Sequence, residues 1–285
     1  ARAVERTEPS RDPVLVVSQV ARIARGLGAG RDVPVGVCVP GALDASRERA
    51  LMVTNFPGWN GLSIRRMLEE AIGAPVAVEN DANAYALGEG FADAGAARGM
   101  SDYVMVTLGT GIGGGVVTGG RLLTGAHGMA GELGHMVLGN DEPCGPGCGG
   151  RGHFEALCGA DALERKAEAM GLGGLLPLEN LWSLREGLAA PLWDFALEVF
   201  ARGIASLVHV LDPELVIVGG GLRKGEGFME LLLARVPKYL AEPFRATLRV
   251  RSSALDTDAP VFGAAAAAIA RAQGARFPRE PGTNP

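Results

Sequence analysis

Four residues with metal-ligand chemistry fall within nineteen positions of this 285-residue sequence: His135, Cys144, Cys148 and His153. Two imidazoles and two thiols are the closed N/S set that a tetrahedral, structural zinc takes. The glycines and proline between them suit neither helix nor strand, so a metal knuckle would give the segment its shape. The alternatives are a Cys144–Cys148 disulfide and chance clustering. Four cysteines in all are too few for a secreted disulfide scaffold, and a reducing compartment argues against the bridge. Cys38 and Cys158 lie in apolar stretches and read as core thiols; His209, inside an apolar helical pattern, reads as a core histidine.

The second candidate is a carboxylate. Val78-Glu79-Asn80-Asp81-Ala82-Asn83 puts Asp81 where a short strand turns into a helix. Aspartate there is a favoured N-cap. It is equally a base able to take a hydroxyl proton. Asn80 adds an amide suited to vicinal hydroxyls. Glu132, Glu155 and His135 would complete a hydrogen-bonding set for a polyhydroxyl ligand, and a ligating His135 would have its second ring nitrogen to spare.

The third feature is glycine, 43 residues, mostly in clusters. Leu108-Gly109-Thr110-Gly111-Ile112-Gly113-Gly114-Gly115 contains a formal G-x-G-x-x-G, but a dinucleotide site needs a helix next. Val116-Val117 then Gly119-Gly120 predict a second strand and a turn, hence a β-hairpin. Its N–H groups and the Thr110 hydroxyl could hold a phosphate, or the hairpin could carry no ligand. Gly219, Gly220 and Gly221 end another buried strand and could accept a nucleoside.

The elements that must position these groups follow from apolar periodicity. Runs at 35–39, 103–108 and 215–218 are buried strands ending in glycine, with a short strand at 76–78. Helices are predicted over 64–72, 82–91, 192–211, 228–240 and 262–272, with a frayed tail from Arg276. Strands alternating with helices give an α/β fold, and 95–102 is a candidate hinge between two lobes. With 47% apolar and 21% charged residues, disorder is excluded. A net charge of −5 without basic blocks, and 5% aromatics, exclude a nucleic-acid binder. No apolar run approaches the ~20 residues of a membrane span, so the expectation is a soluble, cytoplasmic protein.

In order and spacing, four motifs resemble the ROK family of sugar kinases and sugar-responsive repressors. They are Glu79-Asn80-Asp81-Ala82-Asn83, the 108–115 glycine loop, Gly131-Glu132-Leu133-Gly134-His135, and Cys148-Gly149-Gly150-Arg151-Gly152-His153-Phe154-Glu155. The resemblance implies a two-lobed actin-like ATPase (ribonuclease H-like) fold with a cleft between lobes. It divides the chain into a smaller lobe at 1–99, with the helix at 264–285 packing back on it, and a larger lobe at 100–263 carrying the zinc knuckle. It implies transfer of the ATP γ-phosphoryl group to a hexose, glucose first, with Mg²⁺ and a structural Zn²⁺. Fructose, mannose, an N-acetylated amino sugar or a non-enzymatic sugar sensor are the alternatives. Asp81 matches the base. Asn80, Glu132, His135 and Glu155 match sugar contacts, with Gly41 and Asn55 weaker. Gly109, Thr110, Gly111 and Gly113 match a phosphate loop, and Gly219, Gly220 and Gly221 the adenosine motif. A homodimer or dimer of dimers is the expected assembly.

Two departures from the family pattern stand out. The usual knuckle reads Cys-x-Cys-x₄-Cys; here Pro146 stands at its first cysteine and His153 at its last, with Cys144 as the replacement thiolate. The family also opens with an Asp-x-Gly-Gly-Thr phosphate loop that this sequence does not contain. Ala1 to Thr7 resembles the third strand of the pattern, so two strands are expected to precede it.

Overall fold

The computed structural model describes residues 1–53, 56–139, 141–144 and 148–274. Asn55 and Pro146 lie outside the described residues, as does the tail from Arg276. The chain runs α1 (Pro13–Gly26), β1 (Val35–Val39), β2 (Ala42–Leu43), β3 (Ala50–Met52), α2 (Ile64–Ile72), β4 (Val76–Asn80), α3 (Asp81–Phe91), β5 (Tyr103–Leu108), β6 (Ile112–Thr118) and β7 (Arg121–Leu122). It continues with α4 (Phe154–Cys158), α5 (Ala160–Ala169), α6 (Leu178–Ser183), α7 (Ala190–Leu211), β8 (Leu215–Gly219), α8 (Phe228–Leu233), α9 (Glu242–Thr247), β9 (Val250–Ser252) and α10 (Ala259–Ala272).

The apolar runs became central strands because both their faces are covered. β5 sits mid-sheet in the order β7-β6-β5-β8-β9, antiparallel to β6 and parallel to β8. Side chains alternate across a strand. Val104, Val106 and Leu108 therefore join Val216 and Val218 in the large core beneath α7. Tyr103, Met105, Leu215 and Ile217 face the other way, onto Ala86 of α3. A second, smaller core gathers α1, α2, β1 and β4, whose strands pair in parallel from Val35↔Val76 to Val39↔Asn80.

α3 links these layers. It presents Ala86 to the large sheet and lies antiparallel along α10 on its other side. A Cβ on Gly88 would stand 1.9 Å from the Ala259 carbonyl oxygen, and one on Gly263 1.7 Å from that of Ala84. Only hydrogen at those α-carbons permits this backbone approach.

Three expectations need correction. Ala1 to Thr7 is not a strand: it has no β partner among the described residues, and a lone extended segment has no ladder to join. The helix expected over 228–240 stops at Leu233, and a 3₁₀ turn at Val236–Tyr239 follows. Pro237 cannot donate into an α-helical ladder, and its ring obstructs the preceding turn. His209 is not in the core. It faces solvent on α7, where its Nε2 accepts the Ala241 N–H at 3.0 Å and its ring meets Phe244 edge-on.

Candidate active site

β4 and α3 meet with no intervening loop, and the junction sets the geometry of Asp81. Asn80, not Asp81, caps the helix: its Oδ1 accepts the Asn83 N–H at 2.9 Å. Its Nδ2 reaches the Gly41 carbonyl at 3.0 Å and Asp81 Oδ1 at 3.2 Å. The Ala82 N–H also donates to Asp81 Oδ1, at 2.9 Å. Both of these bonds fall on one oxygen, Oδ1. Capping thus does not use up this carboxylate. Asp81 is exposed to solvent where it lines the cleft, and desolvation by the surrounding walls raises its pKa above the ordinary carboxylate value.

The cleft has a volume of about 870 Å³. Gly41, Asn80 and Asp81 line it together with Glu132, His135 and Glu155, and with Gly109, Thr110, Gly111 and Gly113. Burial pushes Glu132 up. Asp81 and Glu155 push it the same way by repulsion, and His135 opposes them, so these four groups share one electrostatic neighbourhood. Gly219, Gly220 and Gly221 do not line the cleft. Gly219 stands behind it against Tyr85 and Met105, and Gly220, at φ +87°, lies under the Leu108 backbone.

The glycine loop is the hairpin the sequence predicts, with Leu108 opposite Ile112 and Thr107 opposite Gly113. Much of its glycine serves internal packing. A Cβ on Gly114 would meet Leu133 at 2.3 Å, and one on Gly115 would meet Ala86 at 2.7 Å. Gly109 differs, since the nearest atom to its Cβ position is 3.9 Å away. The loop is held by α5. The Ala160 N–H donates to the Gly109 carbonyl at 2.9 Å, and the Asp161 N–H to that of Thr110 at 3.2 Å. In a planar trans peptide the carbonyl and the next N–H point oppositely. The N–H groups of Thr110 and Gly111 therefore turn away from α5, an arrangement suited to an anion.

The knuckle lies at the cleft wall. Two short antiparallel bridges, Val137↔His153 and Pro143↔Arg151, fold the segment back on itself. His135 Nδ1 and Cys144 Sγ each lie 3.0 Å from His153 Nδ1; Cys148 Sγ lies 3.3 Å from His153 Nδ1 and 3.6 Å from His135 Nδ1. One ligand atom from each of the four residues falls within 4.8 Å of all the others. Zinc bonds of about 2.0–2.3 Å in a tetrahedron put ligand atoms roughly 3.3–3.8 Å apart, so the donor set fits. His135 turns Nδ1 to the cluster while its ring lines the cleft.

Sequence reasoning assigned no role to Arg47, Glu79 or Asn83, which form a buried polar group under the β4–α3 junction. Glu79 carried a signal, a carboxylate closing an apolar strand. Arg47, in a loop among many arginines, carried none. Asp161 and Arg165 also line the cleft unanticipated.

Fold and site together define a sugar-kinase-like member of the actin-like ATPase architecture: the chain belongs to the ROK family, which it matches over residues 4–271. It is 37% identical over 270 residues to a glucokinase of Thermotoga maritima, covering 88% of this chain and 84% of that one. Among solved structures it is similar to a ROK hexokinase from Thermus thermophilus (TM-score 0.78, 36% identity, 96% of this chain and 90% of that one). It is also similar to a ROK family glucokinase from Streptomyces griseus in complex with glucose and AMPPNP (TM-score 0.75, 29% identity, 89% and 87% covered). No described helix is long and apolar enough to cross a membrane.

Proposed function

We infer that the protein phosphorylates a hexose from ATP, with glucose the first choice of acceptor. The observation that carries this reading is the convergence of Asn80, Asp81, Glu132, His135 and Glu155 on the cleft that the glycine loop borders. The similarity to kinases that act on glucose supports the choice of sugar.

In this reading Asn80, Glu132, His135 and Glu155 hold the sugar hydroxyls, and Asp81 receives the primary one. Phosphoryl transfer needs alignment and charge neutralisation more than strong base catalysis. The sugar oxygen forms the new bond to the γ-phosphorus as the bond to the β-phosphate oxygen breaks, and the hydroxyl proton passes late to Asp81 Oδ2. The Thr110 and Gly111 N–H groups receive the phosphates; of the three glycines that end β8, Gly219 and Gly220 are packed against the protein, and Gly221, with nothing within 4 Å of its Cβ position, is the one left for the nucleoside end. Mg²⁺, when bound with the nucleotide, would supply counter-charge to the phosphates. His135, Cys144, Cys148 and His153 would hold a structural zinc, which, when bound, fixes the segment that carries His135 and Glu155.

A coupled assay for ADP release tests this, run with glucose, fructose, mannose and N-acetylated amino sugars. Glucose should give the highest kcat/KM. Absence of turnover with every hexose would reject the kinase reading, and preference for another sugar would reassign the acceptor.

A further inference from the structure

The geometry points to Arg47 as a positioning residue of the sugar site, one that holds its two walls in register through a single buried guanidinium. This rests on the assignment of Asn80, Asp81 and Glu132 to the sugar. Arg47 is 2% exposed and occupies the loop between β2 and β3. Its φ is +56°, a left-handed conformation that L side chains seldom adopt. The Asp44 side chain organises that loop, accepting the N–H groups of Glu48 at 2.7 Å and Arg49 at 3.1 Å.

The guanidinium faces two ways. Its Nε donates to Glu79 Oε2 at 3.1 Å. Glu79, 0% exposed, accepts on its other oxygen from the Asn80 N–H at 2.9 Å and from Asn83 Nδ2 at 3.1 Å. One wall of the site, Asn80 and Asp81, is thereby seated on the ion pair. Meanwhile Nη1 donates to the Gly128 carbonyl at 2.8 Å, on the loop that leads into Glu132. That loop is pressed onto the Arg47 loop: a Cβ on Gly128 would stand 2.7 Å from the Ala45 nitrogen. Gly131 in turn lies over Asn83, 3.3 Å from a Cβ position to Asn83 Oδ1. The other wall is held by the same side chain.

A buried ion pair is a poor device for stability alone, because apolar residues of similar volume often serve as well. This pair also leaves Arg47 Nη2 and Asn83 Oδ1 without a hydrogen-bond partner among the described residues. What the pair does supply is a rigid planar fork that reaches a carboxylate and a carbonyl from two fixed nitrogens, a geometry that lysine's single ammonium and apolar side chains do not reproduce.

The test replaces the pair together, Arg47→Met with Glu79→Leu, and measures melting temperature, glucose affinity by calorimetry, and KM and kcat for both substrates. The double variant should melt below wild type, because the Asn80 N–H, Asn83 Nδ2 and the Gly128 carbonyl lose their buried partners, and should lose at least about tenfold in glucose kcat/KM and affinity. Its KM for ATP should move less than about twofold, since the hydrogen bonds of Arg47 and Glu79 run to Asp44, Gly128, Asn80 and Asn83 and none runs to the glycine loop. A folded double variant with glucose affinity and kcat/KM within about twofold of wild type would overturn the proposal. Should it not fold, Arg47→Lys decides: glucose KM should rise about three- to tenfold with ATP KM unchanged, and an unchanged glucose KM overturns it. A wild type that binds glucose without turning it over rejects the kinase reading alone, because glucose affinity still tests Arg47.

Discussion

Glu155 Oε2 accepts the backbone N–H of Ile112 at 2.8 Å, so a carboxylate that lines the cleft is also the clamp on the glycine hairpin. One oxygen is committed to the loop, and the other is left for the proposed sugar contact. Under the proposed function the two substrate sites share this side chain.

Gly111→Ala tests that sharing. The new methyl carbon would stand 2.1 Å from Glu155 Oε2, so the carboxylate must swing away and release Ile112. KM for both glucose and ATP should rise, each by about tenfold. Bisubstrate initial-rate analysis reads both. A change confined to one substrate would show that Glu155 does not couple them.

Asp81→Asn should lower kcat by about 10²–10⁴ while glucose affinity stays within about threefold, measured by steady-state kinetics and calorimetry. Near-normal turnover would remove Asp81 from the role of base. In the wild type, activity should fall as acid protonates Asp81. The midpoint of that acid limb should lie above the ordinary carboxylate range, because burial raises this pKa.

The same substitution should raise the melting temperature at pH 7. A carboxyl whose folded pKa is raised stabilises the fold below its unfolded pKa, and that contribution is lost as pH rises through the folded value. Ionised Asp81 is thus a cost at neutral pH, and the uncharged amide relieves it. The gain should shrink in melts at pH 4. Equal gains at both pH values would contradict the desolvation of Asp81.

Cys144→Ser and Cys148→Ser should each lower zinc occupancy and weaken glucose binding, by at least about tenfold for the metal. Elemental analysis and calorimetry check the two effects separately. Full zinc content in the Cys144 variant would exclude that thiol from the set. Normal glucose binding in metal-free protein would uncouple the knuckle from the sugar.

Gly263→Ala should destabilise by about 3 kcal/mol or more, since its methyl would drive into the Ala84 carbonyl oxygen. Gly174→Ala, with nothing within 4 Å, is the matched control. Denaturant midpoints compare them, and similar midpoints would mean that α3 and α10 separate at little cost.

The central strands were legible because burial on both faces leaves unbroken apolar runs such as 103–108 and 215–218. The knuckle was legible because its four donors are close in sequence. Helix length beyond Leu233 was misread because an apolar stripe does not register the missing N–H of Pro237. Glycine was ambiguous in a physical way: at Gly114 and Gly115 the closely approaching group is the protein's own Leu133 and Ala86, which composition cannot distinguish from a ligand. Arg47 was invisible because its partners stand 32 and 81 positions away, and only the folded chain brings Glu79 and Gly128 to one guanidinium.

The contacts of Gly88 with Ala259 and of Gly263 with Ala84 bear on motion as well as on stability. Backbones seated that closely have no slack for sliding or rolling, because each carbonyl already fills the space over its facing α-carbon. α3 and α10 should therefore move together if the cleft rocks, and Asp81, the first residue of α3, should move with them.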